Sequence, residues 1–225
     1  MARAITCNGA SVLTLRLLAP IAAAWVADVE ASIDSVISGA VTLTDGDNAW
    51  QGTVLSSGTL AGICSMLIVG GKGGLQKELG AKSYVGTVAR QVVQDIAADA
   101  GETLSQKALT APALRSVLRH WTRVGNSDGE PMTAGAQLTS VLDAVGATWR
   151  VQPNGQIWIG SPSFVTSKPT GLMELHRDPA RGRVHVELDA LDLLPDTNVA
   201  GNRVGDVEYR VADAGIKATY WLEAA

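Results

Sequence analysis

The pentapeptide Gly125-Asn126-Ser127-Asp128-Gly129 sets a serine between two glycines, the Gly-x-Ser-x-Gly spacing of a nucleophile elbow. On a strained strand-to-helix turn such a serine attacks an ester carbonyl, activated by an acid and then a histidine further along the chain. Asp143 or Asp178 followed by His185 stands in that order. The surroundings argue against the chemistry. Glu130-Pro131-Met132 separate the serine from the next helical pattern, and the strand–helix alternation that builds an elbow is missing. Asn-Ser-Asp-Gly is also the composition of an exposed loop. A serine hydrolase using Gly125, Ser127 and Gly129 is therefore the alternative reading; the expectation is that the chain is not an enzyme, and no catalytic residue is assigned.

A second stretch, Gly70-Gly71-Lys72-Gly73-Gly74-Leu75, follows the apolar run Ile63-Cys64-Ser65-Met66-Leu67-Ile68-Val69. A strand feeding a glycine-rich loop ahead of a helix is the setting of phosphate-binding loops. Such a loop needs Ser or Thr directly after its lysine, and Gly73 follows Lys72; a dinucleotide loop needs a third glycine where Gln76 stands. Both motifs fail, so no cofactor-binding residue is assigned. The histidines His120, His176 and His185 form no i, i+4 pair, and Cys7 and Cys64 show no ligand spacing. No metal ligand is assigned either; the cysteines read as two small buried apolar side chains rather than a disulfide.

These residues are carried by two kinds of segment. In residues 1 to about 80, Leu13, Leu15 and Leu17 alternate with Thr14 and Arg16, and Val41 and Leu43 with Thr42 and Thr44, the period of half-buried strands. Asp45-Gly46-Asp47-Asn48 then supplies a turn before Trp50 to Leu55 returns as a hairpin. From Tyr84 the period changes: Val85, Val88, Val92, Ile96 and Ala100 predict one face of a helix stopped by Gly101. Pro112 opens a shorter helix through Leu114, Val117 and Leu118, with His120 at its end, and a third runs from Thr133 to Gly146. Trp149 and Val151 lead through Pro153-Asn154-Gly155 to Ile157 and Ile159, a hairpin. Ser161–Lys168 reads as a linker, followed by strands at Val184–Leu191, Arg203–Val211 and Ile216–Leu222.

At 225 residues and 46% hydrophobic the chain can bury a sizeable core in one large domain or a few small ones. A net charge of -4 with no basic cluster does not indicate a surface built to grip nucleic acid, and no sequence-specific nucleic-acid binding is expected. The apolar segment Leu17–Ala27 mimics a signal-peptide core, but it is too short to span a bilayer and Arg16 sits within a strand-like alternation. No membrane partner is expected. The 6 tryptophans against 1 phenylalanine are spread over all the elements, so they read as core anchors or subunit contacts rather than a clustered sugar platform. A β-rich carbohydrate-binding module is the remaining alternative.

The glycine-rich stretch, continued by Ala81-Lys82-Ser83-Tyr84 and a helix closing at Asp99-Ala100-Gly101, resembles a segment of the tail-hub, or baseplate-hub, proteins of long-tailed bacteriophages, including the late-control and Mu-like hub families. The resemblance continues at Ala147–Val151 with Gly155–Ile159, and at Asp192–Thr197 with Val204–Tyr209. It implies an α+β, mainly β fold: two tail-tube-like β-barrel domains, 1–80 and 170–225, flanking a small α+β decorating domain, 81–169. It implies a structural virion protein at the phage tail tip, made in the bacterial host cytoplasm, whose homotrimer joins the tail tube to the central spike or fibre on the route of DNA ejection. The implied partners are the tail tube protein, the central spike or tail fibre, and other baseplate or tape-measure proteins, with no cofactor.

Overall fold

The structure is a computed structural model that describes residues 4–123, 132–212 and 215–223. It is α+β and mainly β, and it divides into two compact units: Met1–Gly70 with Pro162–Ala225, and Gly71–Ser161. The first unit opens with β1 (Thr6–Cys7), β2 (Ala10–Ala19), β3 (Val26–Ser32), β4 (Gly39–Thr44), β5 (Ala49–Leu60) and β6 (Ile63–Gly70). Antiparallel pairing runs β1–β4–β5–β6–β3–β2, and β2 returns to β1 through Thr6↔Ser11 and Cys7↔Ala10, so the six strands close into a barrel. Closure removes the sheet edges over this stretch. Leu15, Leu17, Val29, Leu43, Met66 and Ile68 are buried at every second position, as the sequence alternation predicts. Leu13 departs from that alternation and is exposed, because β2 and β3 slip register between Val12 and Thr14.

A slot in the barrel wall explains two glycines. Gly52 of β5 faces Gly70 of β6 across the ladder. A Cβ on Gly52 would lie 2.7 Å from the Trp25 ring, and one on Gly70 2.5 Å from Trp25 Nε1. The pair leaves room for an indole that meets Trp50 edge-on at 5.5 Å, and Trp50 meets Tyr209 likewise at 6.3 Å.

In the second unit β7 (Lys82–Val88) leads directly into α1 (Ala89–Ala100); α2 (Gln106–Leu109), β8 (Val117–Arg123), α3 (Ala134–Asp143), β9 (Thr148–Val151) and β10 (Ile157–Gly160) follow. Helix α1 buries Val92, Val93, Ile96 and Ala97 and packs on α3 and β7. Gly101 stops it at φ +77. Two sequence expectations need correction here. Val85 and Val88 belong to β7, not to the helix, and are exposed; the Lys82–Val88 run pairs with β8 and only from Ala89 does the helical face begin. Past Pro112 a single 3₁₀ turn ends at Arg115, and Val117, Leu118 and His120 lie on β8. In both places β-branched or aromatic residues (Val85, Thr87, Val117, Trp121, Thr122) sit better on a pleated ribbon than in a helix. The β9–β10 hairpin forms as read, with Ile159 opposite Trp149 and Gly155 at φ +74.

The chain then returns to the first unit through β11 (Val165–Thr166), β12 (Met173–Asp178), β13 (Arg183–Leu188), β14 (Thr197–Val199), β15 (Asn202–Ala212) and β16 (Gly215–Leu222). The expected linker thus contains a short strand, β11, which runs parallel to β14. Strand β15 joins β2 through pairs such as Tyr209↔Leu17 and Arg210↔Arg16, and β16, β13 and β12 follow in order. Among the described residues the barrel and these strands make one twelve-stranded sheet. The loop before β14 is strapped to the core: Trp50 Nε1 donates to the Leu191 carbonyl at 3.2 Å, the Leu191 amide donates to Asp45 at 2.6 Å, and the Tyr209 hydroxyl donates to the Leu193 carbonyl. Burial pushes the Asp45 carboxyl up, but the bonds it accepts from Leu191, Asn48 and Asp47 outweigh this and hold it below the usual carboxylate range.

Val92 is fully buried on α1. Replacing it with Asp puts an unpaired charge in that core and is expected to cost more than about 3 kcal/mol, read as a lower midpoint in urea unfolding.

Candidate functional site

Gly125, Ser127 and Gly129, the loop of the hydrolase reading, lie outside the described residues. Asp143 ends α3, whereas Asp178 and His185 lie on β12 and β13 of the other unit. Asp178 accepts a bond from the Arg181 amide at 3.3 Å and so caps a 3₁₀ turn. His185 stacks on His176 across the ladder, ring centroids 5.9 Å apart, and its Nδ1 lies 2.9 Å from the Thr219 hydroxyl. Among the described residues no group of three His, Cys, Asp or Glu side chains is placed to hold a metal ion. Cys7 and Cys64 are buried free thiols, and burial together with its neighbour Cys64 pushes the Cys7 thiol up. No helix among the described residues is long and apolar enough to cross a membrane.

The glycine-rich loop has a use that its sequence did not disclose. Gly71 at φ +83 and Gly73 at φ +79 alternate with Lys72 and Gly74, which turns the Lys72 and Gly74 amides toward one concavity, an anion nest. The nest is filled by the carboxylate of Glu102, the residue after the glycine that stops α1. Lys72 N donates to both carboxylate oxygens, at 3.0 and 3.2 Å, and Gly74 N to Oε1 at 2.7 Å. Glu102 is only 8% exposed. A phosphate finds these donors already spoken for. Nothing in the spacing of Gly71–Gly74 and Glu102 announces the pairing, because their meeting depends on where α1 ends.

The remaining candidate is a surface. Beyond Val54, where β4 stops, no strand among the described residues pairs with the outer edge of β5; the Ser57 hydroxyl donates to the Ile37 carbonyl there, and Leu55 to Leu60 are largely exposed. Leu60, at 82% exposure, tips a hairpin on which Leu55, Ile63 and Leu67 are exposed as well. Between Ala49 and Gly70 there is no Asp, Glu, Lys or Arg. An edge without charge or proline is unprotected against strand addition. The strand at the end of the sheet, β12, is guarded: it carries Glu174, Arg177 and Asp178 and a register shift between Glu174 and His176. Beside the hairpin, Thr14, Arg16, Asp28, Glu30, Ser57 and Leu67 line part of a groove of about 810 Å³. Its two arginines, Arg16 and Arg210, both reach Glu208, at 2.8 and 2.9 Å, and its Glu30 accepts a bond from the Thr14 hydroxyl at 2.9 Å. Burial pushes the Glu208 carboxyl up, but those two guanidinium groups hold it below the usual range. An uncharged hairpin with exposed apolar side chains is the kind of surface that protein contacts cover.

The closed six-stranded barrel, the strands that extend its sheet and the α+β unit inserted between them in sequence together have the fold of solved phage tail proteins. The chain superposes on the prophage MuSo2 43 kDa tail protein of Shewanella oneidensis with a TM-score of 0.67 at 10% identity, covering 98% of this chain and 97% of that one. A tail protein from Neisseria meningitidis MC58 gives 0.65 at 13% identity, over 100% and 97%. The E. coli c3393 protein, a component of the type VI secretion system with structural similarity to the T4 tail proteins gp27 and gp5, gives 0.67 at 12% identity, over 98% and 77%. No family model and no curated protein matches the sequence.

Because Lys72 contributes its backbone amide and not its side chain to the occupied nest, Lys72→Ala is expected to change stability by no more than about 0.5 kcal/mol. Calorimetric titration of ATP or GTP should show no binding to either protein.

Proposed function

We propose that this chain is a structural virion protein, a tail or baseplate hub subunit that joins the tail tube to the central spike or fibre at the tail tip. The observation that supports it most is the superposition on tail proteins over nearly the whole of both chains. In this reading the chain forms a homotrimer on the tail axis. The β-rich segments, 1–80 and 170–225, contribute the tube-like parts, and 81–169 the decorating part. Three chains that each present two tube-like segments offer six similar contacts to a sixfold tube, which fits closed cyclic symmetry. The partners are the tail tube protein, the spike or fibre, and neighbouring baseplate or tape-measure proteins. The uncharged β5–β6 hairpin is the surface best suited to such contacts, and its Leu60 needs a neighbour to cover it. Isolated subunits can remain monomeric, since a weak interface is populated only when its other partners are present.

A reconstruction of assembled tail tips tests the proposal. It should show three copies around the axis with the barrel unit against the tube; six or twelve peripheral copies, or absence from the virion, would refute it. The companion expectation is that purified protein leaves activated esters intact. Turnover that disappears in Ser127→Ala would overturn that expectation in favour of the hydrolase reading.

A further inference from the structure

We propose that the Gly71–Gly74 loop is a preformed receptor for a small oxyanion, carboxylate or phosphate, which the native chain keeps closed by supplying its own ligand, Glu102. The claim concerns what the loop can bind, and it stands apart from the assembly reading.

Two features make the loop a receptor rather than a turn that happens to touch a glutamate. The donors converge: both oxygens of Glu102 are engaged by the Lys72 and Gly74 amides, at 2.7 to 3.2 Å. This is the geometry in which backbone nests hold phosphate. The concavity is also fitted to its occupant, since a Cβ on Gly71 would stand 2.7 Å from Glu102 Oε2.

The loop is held in shape by contacts that do not involve the Glu102 side chain. Gly74 lies so close to α1 that any Cβ there would collide with the Ala100 carbonyl. The Lys77 amide donates to the Gly74 carbonyl at 3.0 Å, Lys77 Nζ donates to the Ala100 carbonyl at 3.3 Å, and Leu75 is buried. Glu102 itself is anchored by its backbone, its amide donating to the Ala97 carbonyl at 2.8 Å. Truncating the side chain therefore leaves amide donors aimed at an empty space. An internal ligand acts at an effective concentration of roughly millimolar or above, so free phosphate at comparable levels does not displace it from the native chain.

The test is chemical rescue in the full-length protein. Glu102→Ala should melt at a lower temperature than the native chain. Sodium phosphate or sodium formate, added against sodium chloride at constant ionic strength, should restore much of that loss along a saturating curve. The native chain should not respond. If the variant responds equally to all three salts, or if the native chain gains as much as the variant, the proposal is overturned. Should Glu102→Ala fail to fold, Glu102→Ser also removes the carboxylate and leaves the nest empty. Hydrogen exchange then reads the Lys72 and Gly74 amides: faster exchange in Glu102→Ser, slowed again by phosphate but not by chloride, is the expected result, and exchange that phosphate does not slow overturns it.

Discussion

Strand β2 divides one of its edges between two partners, and both halves of the first unit depend on that division. Its first residues, Ala10 and Ser11, pair with β1 and close the barrel; Leu15 to Ala19 pair with β15 and carry the sheet onward. The switch falls where β2 slips register against β3, between Val12 and Thr14. A bulge bends and twists its strand locally, which lets one edge point first toward a closing neighbour and then toward an extending one. Without it a barrel of six short strands would be sealed, and the strands from residue 162 onward would need a core of their own.

The core that results is shared by segments far apart in the chain. Trp25, Trp50 and Tyr209 meet edge-on, and the loop before β14 is tied down by Asp45, Trp50 and Tyr209 together. The Asp45 carboxylate accepts bonds from Leu191 on one side and from its own turn on the other, so the β4–β5 turn and the distant loop share one anion. Charge-assisted bonds of this kind, made in a buried place, are worth more than surface ion pairs.

Much of this was legible in the residues. Period-two alternation located β4, β9, β10, β13, β15 and β16, and Gly101 marked the end of α1 as a left-handed stop. Where the reading failed, two periodicities overlapped. Val85, Val88 and Val92 are spaced for a helix, yet the first two sit on β7, because pairing with β8 is a tertiary fact that spacing cannot report. The glycine loop illustrates a different limit. Sequence rejected it as a nucleotide site on motif grounds, but the Glu102 carboxylate that fills it comes from 28 residues downstream of Gly74 and carries no local mark. The exposed hairpin could have been found: a run from Ala49 to Gly70 with no charged residue is visible by inspection.

The divided edge of β2 also sets a timetable. Arg16 and its ion-pair partner Glu208 are 192 positions apart, with the whole α+β unit between them. At about 5–20 residues per second of synthesis, the outer part of β2 waits roughly ten to forty seconds for β15 to emerge from the ribosome. During that interval the barrel half can close while Leu15–Ala19 present an unpaired, apolar-faced edge to the surrounding solution. The nascent chain is therefore most vulnerable to mispairing late, after its most local structure has formed, and a break anywhere in the inserted unit before β15 is made leaves that edge permanently open.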